Sequence, residues 1–114
     1  MYILIRNNFS SLKADIKRKI EAGEIETWKF VVEDDRSRLM HKSSDNQYDE
    51  ILLRFITTHS LGPECLKIAP KVKNDVADKR KEKAEALFGL VLGRFAELLN
   101  CHFPEIGAYE TILQ

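Results

Sequence analysis

Hydrophobic residues change their spacing several times along this chain, and each change predicts an element. Tyr2 to Ile5 is a short apolar, β-favouring run that ends at Arg6. Four such residues are too few for a helix, so a buried strand is predicted. After Ser10 or Ser11, Leu12, Ile16 and Ile20 recur at every fourth position, while Lys13, Lys17, Lys19 and Glu21 fall elsewhere. That spacing lays one apolar stripe along a helix of about three turns, with Gly23 as its C-terminal stop.

From Ile25 to Val32 the period falls to two. Trp28, Phe30 and Val32 then share the buried face of a strand, and Thr27, Lys29 and Val31 share the other. Glu33 to Arg36 interrupts the alternation with turn-favouring acids, Arg38 to Lys42 is a candidate return strand, and KSSDNQYD is a second polar loop. Ile51, Leu53 and Phe55 alternate with Leu52, Arg54 and Ile56 in a further strand. HSLGPE turns the chain, and CLKIAP predicts another short strand closed by Pro70.

The remainder reads as one long helix over 74–100, polar in its first turns and apolar at Leu87, Phe88, Val91, Phe95, Leu98 and Leu99, with an irregular tail after Pro104. The order β-α-β-β-β-(β)-α predicts an α+β fold. Its mainly antiparallel sheet has four to five strands, with two helices packed on one face and residues such as Lys29 and Arg54 on the other. No repeat, low-complexity tract or linker divides the 114 residues, so 1–114 is expected to be a single domain.

Composition narrows the function classes. Hydrophobic residues make up 44% and charged residues 32%, which argues against wholesale disorder. Eighteen acids balance eighteen bases, removing the usual electrostatic case for nucleic acid while leaving a locally asymmetric surface open. The apolar run before Arg6 is too short for a secretory signal, and no stretch approaches the roughly 18 apolar residues of a membrane span. Cys65 and Cys101 stand far apart without a second pair, so a cytoplasmic protein with reduced thiols and no membrane partner is expected.

Three groups of residues are candidates for chemistry. Glu33, Asp34 and Asp35 are consecutive, and Asp45, Asp49 and Glu50 form a second acidic group that could face them across the hairpin. Consecutive acids in a strand or turn diverge, whereas two-metal catalysis needs carboxylates that converge. A solvated hairpin tip that serves as a protein-contact surface is therefore expected. His59 and Cys65, with Cys101 and His102, lack the ligand spacings of zinc sites, and nothing marks an oxyanion hole beside them. No catalytic residue, metal or cofactor is assigned.

Ala86, Gly89, Gly93 and Ala96 recur at spacings of three or four in the long helix. Glycine costs about 1 kcal/mol against alanine there, so close approach of another backbone is expected. It comes from the first helix of the same chain or from a second copy in a homodimer.

Two resemblances add to this. The sheet-and-two-helix outline is similar to that of ferredoxin-like nucleases of CRISPR spacer acquisition and of some toxin–antitoxin systems. Those place an acid straight after the first strand, where this chain has Asn7 and Asn8, so the likeness implies fold only. GRFAELLNCHF, Gly93 to Phe103, together with IETW, Ile25 to Trp28, resembles a pattern in small uncharacterised bacterial proteins. That resemblance implies a bacterial cytosolic protein with no known reaction. It marks Trp28, Gly93, Arg94, Phe95, Glu97, His102 and Phe103 as a shared surface, with Arg94 and Glu97 a local pair beside His102.

The expected function is that of a small protein-binding or regulatory protein, such as an immunity or antitoxin-type inhibitor. Its contacts would be the acidic hairpin or Arg94, Glu97 and His102. The alternative is a nucleic-acid-binding or metal-dependent nuclease-like protein using the hairpin acids.

Overall fold

In the computed structural model, residues 1–6, 11–42, 47–59 and 64–113 are described. Asn7, Asn8, Ser10, Asp45 and the expected turn at Gly62 and Pro63 lie outside them. Strand β1 (Tyr2–Ile5) leads to helix α1 (Leu12–Glu21), and β2 (Trp28–Glu33) and β3 (Arg36–His41) form a hairpin. Strands β4 (Ile51–Thr58) and β5 (Cys65–Val72) follow, then helices α2 (Asp78–Glu85) and α3 (Phe88–His102), and finally β6 (Glu110–Ile112). The strands join in one sheet of order β2-β3-β4-β5-β1-β6, every neighbouring pair antiparallel. The α+β class and the antiparallel sheet are as expected.

One face of that sheet carries the core. Ile3, Ile5, Leu39, Ile51, Leu53, Leu66 and Ile68 share it by register and pack with Leu12 and Ile16 of α1 and Val91, Leu92, Phe95, Leu98 and Leu99 of α3. Each such side chain contributes about 1.5–3 kcal/mol by leaving water, and the two apolar helical stripes therefore bind the same face. Helix α1 ends in a Schellman turn: Gly23 N–H donates to the Ile20 carbonyl and Glu24 N–H to that of Lys19, with Gly23 at φ +79.

The structure corrects several expectations. The sheet has six strands, because β6 arises in the tail and pairs with β1 at Tyr2↔Ile112, Ile3↔Thr111 and Leu4↔Glu110. Three residues are too few to show a period, and the strand exists because β1 offers it an unpaired edge. Strand β5 runs through Pro70 to Val72. Its pairing with β1 ends at Ile68, so the missing Pro70 N–H breaks no bond on that side. The burial of the Trp28 face fades along β2, from Trp28 at 3% exposed to Val32 at 76%, as the hairpin runs out beyond the core.

The expected long helix divides at Ala86–Leu87, where Leu87 N–H bonds the Ala84 carbonyl and tightens the turn. Helix α2 is polar on nearly every side, with only Ala84 buried, whereas α3 has a full apolar stripe, so the two segments follow different surroundings. Gly93 is exposed, and a Cβ built there meets nothing within 4 Å; at Gly89 it would meet only the Met1 thioether, at 3.6 Å. Ala86 lies in the break and is exposed, and Ala96 is half-buried. Among the described residues, no backbone makes the close approach expected at Gly93.

Candidate functional site

The hairpin acids come first, because they are the most conspicuous in the sequence. Asp34 and Asp35 are the two central residues of a type I′ turn, at φ +54 and +61, and Glu33 pairs with Arg36 across it. Mirror-image turns match the strand twist, and short polar residues such as Asp adopt positive φ more readily than bulky ones.

Glu33 is only 13% exposed and is bonded to the Lys71 ammonium. It also accepts from the Asn74 N–H at 2.8 Å, while Asn74 Nδ2 donates to Asp34 Oδ2 at 3.0 Å. Burial pushes the Glu33 carboxyl up, but Lys71 and the Asn74 N–H outweigh it and hold the group below its ordinary range. Two of the three acids are therefore engaged in a clasp to the end of β5, and Asp35 alone is exposed without such a bond.

That clasp requires the hairpin to bend. Lys71 lies level with Leu52, Met40 and Lys29 in the ladder, four residues from Glu33 and three strands away. A flat sheet would separate the two by roughly 20 Å. Strand β3, however, pairs with β4 only at Leu39↔Leu53 and Met40↔Leu52, and beyond them the hairpin is free to curl across the sheet.

The second acidic group does not join the first. Asp49 is half-buried in a 3₁₀ turn (Tyr48–Glu50), and Glu50 bonds Arg80 at 2.8 Å. Asp45 lies outside the described residues. Among the described residues no three His, Cys, Asp or Glu side chains converge as metal ligands, so His59, Cys65, Cys101 and His102 build no such site.

The other expected surface does come together. Arg94, Glu97, Leu98, Cys101 and His102 follow helical spacing along one side of α3 and line an open cleft of about 680 Å³. Its opposite wall is the segment from Gly23 to Thr27, set by the Schellman turn. Trp28, His41 and Tyr48 complete the lining. Trp28 faces His41 across the hairpin, with ring centres 4.9 Å apart and edge to face, and His41 meets Tyr48 at 5.6 Å in the same manner.

The polar groups of the cleft are loosely held. Arg94 reaches Glu97 at 3.3 Å with both side chains about half exposed or more, and such pairs contribute at most about 1 kcal/mol. Glu24 approaches Lys19 at 3.8 Å. His41 Nδ1 is buried without a hydrogen-bond partner. Burial, and secondarily the Arg94 cation, lower the His41 pKa, so its ring is neutral at pH 7. With His41 neutral, Glu24, Glu26 and Glu97 outnumber Arg94 and the Lys19 beside Glu24, and the cleft is acidic at its rim with an aromatic base.

Of the surface marked by the GRFAELLNCHF resemblance, Trp28, Arg94, Glu97 and His102 meet here, whereas Phe95 and Phe103 are buried in the core. Sequence reasoning missed His41 and Tyr48. A two-residue turn at Asp34 and Asp35 would have placed His41 opposite Trp28; nothing local marks Tyr48.

Comparison with protein-family models, with curated proteins and with solved structures finds no match for this chain. Among the described residues no helix is long and apolar enough to cross a membrane.

Proposed function

We propose that this chain is a binding protein that regulates a protein partner, as an immunity or antitoxin-type inhibitor does, and that the partner enters the cleft beside α3. The observation that carries this reading is the convergence of Arg94, Glu97 and His102 over an aromatic base of Trp28, His41 and Tyr48. Interfaces concentrate their energy where aromatic anchors lie inside a rim of charge. The excess of Glu24, Glu26 and Glu97 over Arg94 suits a segment that presents a lysine or arginine. A bacterial, cytoplasmic setting belongs to the same proposal, and the exposed Cys101 thiol suits a reducing compartment.

The test uses the purified chain as bait in host extract, with Glu97→Arg and Asp35→Lys as matched variants. A stoichiometric partner that is lost with Glu97→Arg and retained with Asp35→Lys supports the cleft. A partner lost only with Asp35→Lys transfers recognition to the hairpin tip and rejects this reading. So does the absence of any partner that distinguishes wild type from Glu97→Arg.

A further inference from the structure

The chain is neutral overall, but its sheet is not. By register, Lys29, Arg36, Arg38, Arg54, Lys67 and Lys71 all project from the face opposite the core. The acids on that face are Glu33 and Glu110, and both are engaged, Glu33 by Lys71 and Glu110 by Arg6 at 2.8 Å.

Two of these charges flank the point where the hairpin leaves the sheet. One step past the last β3–β4 pair, Leu39↔Leu53, the ladder would set Arg38 directly opposite Arg54. Like charges in that position repel, and the pairing stops there. Both arginines are half-buried, and the Nε of each is buried without an acceptor. A buried donor left unmade costs about 1–3 kcal/mol, so each of the two is a structural cost that an acceptor would remove.

The surroundings supply more positive charge. Arg36 stands two residues along β3 on the same face. Lys13 of α1 donates to the Ser37 carbonyl at 2.7 Å, and its pKa is lowered by burial first and then by the charges of Arg38 and Arg36. Arg38 also acts on the charge of Glu33, but that carboxylate is already bonded to Lys71 and Asn74.

We propose that the fork where β3 parts from β4 is a phosphate-binding site, in which Arg38 and Arg54 donate their Nε and terminal N–H groups to the phosphate oxygens and Arg36 adds charge at the rim. Guanidinium forks match phosphate geometry, and charge-assisted bonds of this kind are roughly twice as strong as neutral ones. The site lies on the sheet face away from the cleft proposed for the protein partner and does not depend on it. The phosphate could belong to a small phosphorylated molecule or to a polynucleotide backbone, and the chemistry at the fork is the same.

The experiment titrates the full chain with inorganic phosphate, a mononucleotide and a single-stranded RNA decamer at fixed ionic strength, following the arginine Nε–H signals by NMR. Wild type is expected to bind at least one probe with shifts at Arg38 and Arg54. Arg38→Gln and Arg54→Gln should each weaken that binding about tenfold, the equivalent of one charge-assisted bond. Arg54→Lys, which keeps the charge and loses the fork, should fall between, and Lys29→Gln should change affinity less than about twofold. Binding of the mononucleotide as tight as that of the decamer identifies a small phosphorylated ligand. Binding of the decamer alone, still dependent on Arg54, identifies a polynucleotide. If no probe binds, or if binding survives both Arg38→Gln and Arg54→Gln in folded protein, the fork is not a phosphate site.

Discussion

The hairpin tip and the α3 cleft carry similar side chains and use them in opposite ways. At the tip, acids adjacent in sequence are tied down: Glu33 and Asp34 hold Lys71 and Asn74 and keep the hairpin bent over the sheet. In the cleft, residues from separate parts of the chain stand beside a 680 Å³ opening with their charges loosely paired and one buried imidazole nitrogen unsatisfied. Density of charge along the sequence marks the first region, but availability for a ligand marks the second. A polar group that already has its partner adds little to recognition, whereas one held in place and unsatisfied adds much.

The sharpest way to break this contrast is Trp28→Ala. Trp28 belongs both to the core, edge to face with Phe95 at 6.0 Å, and to the base of the cleft. Loss of about 3–5 kcal/mol of stability is expected in denaturant unfolding. A loss below about 1 kcal/mol would mean that the cleft is not built on the core.

The clasp comes next. Glu33→Gln or Lys71→Met should each cost about 1–2 kcal/mol, between the values for exposed and buried pairs, and the two changes together should cost less than their sum. The Glu33 carboxyl is held below its ordinary value near 4.5, so its contribution is complete above that pH and is lost as pH falls through the lower folded value. Wild type should therefore lose its advantage over Glu33→Gln on acidification, measured as converging unfolding midpoints. Midpoints that stay parallel would show that Glu33 is not bound as a carboxylate.

A smaller effect is expected at the cleft wall. Gly23→Ala places a side chain at φ +79 and should cost about 1 kcal/mol, with amide exchange accelerated in residues 24–27. Exchange that accelerates equally across the protein would mean that the Schellman turn does not define a local wall. Smallest of all, Arg94→Ala and Glu97→Ala should each change stability by less than about 0.5 kcal/mol. A larger loss at either would make that pair structural, like the clasp, and remove the contrast.

Much of the fold was legible because its signals are local. The four-residue spacing of Leu12, Ile16 and Ile20 and the alternation around Trp28 and Leu53 need only the helix and strand periods. The small-residue row from Ala86 to Ala96 shows the limit of such signals: spacing on a single helix says nothing of what lies opposite, and within this chain a Cβ at Gly93 meets nothing within 4 Å. The break at Ala86–Leu87 was hidden because both segments favour helix, and only their different surroundings separate them.

By itself, the sequence determined α1, the strands β1 to β5 in outline, the hairpin and the shared apolar face of the first and last helices, because burial of periodic hydrophobic stripes leaves few arrangements. Only the tertiary structure decided that the hairpin curls, that β6 pairs with β1, that His41 and Tyr48 line one cleft with α3, and that Arg38 and Arg54 flank one fork. Each of those depends on register or on contacts between distant segments. No local period encodes them, since side chains far apart along the chain become neighbours only once the sheet is assembled.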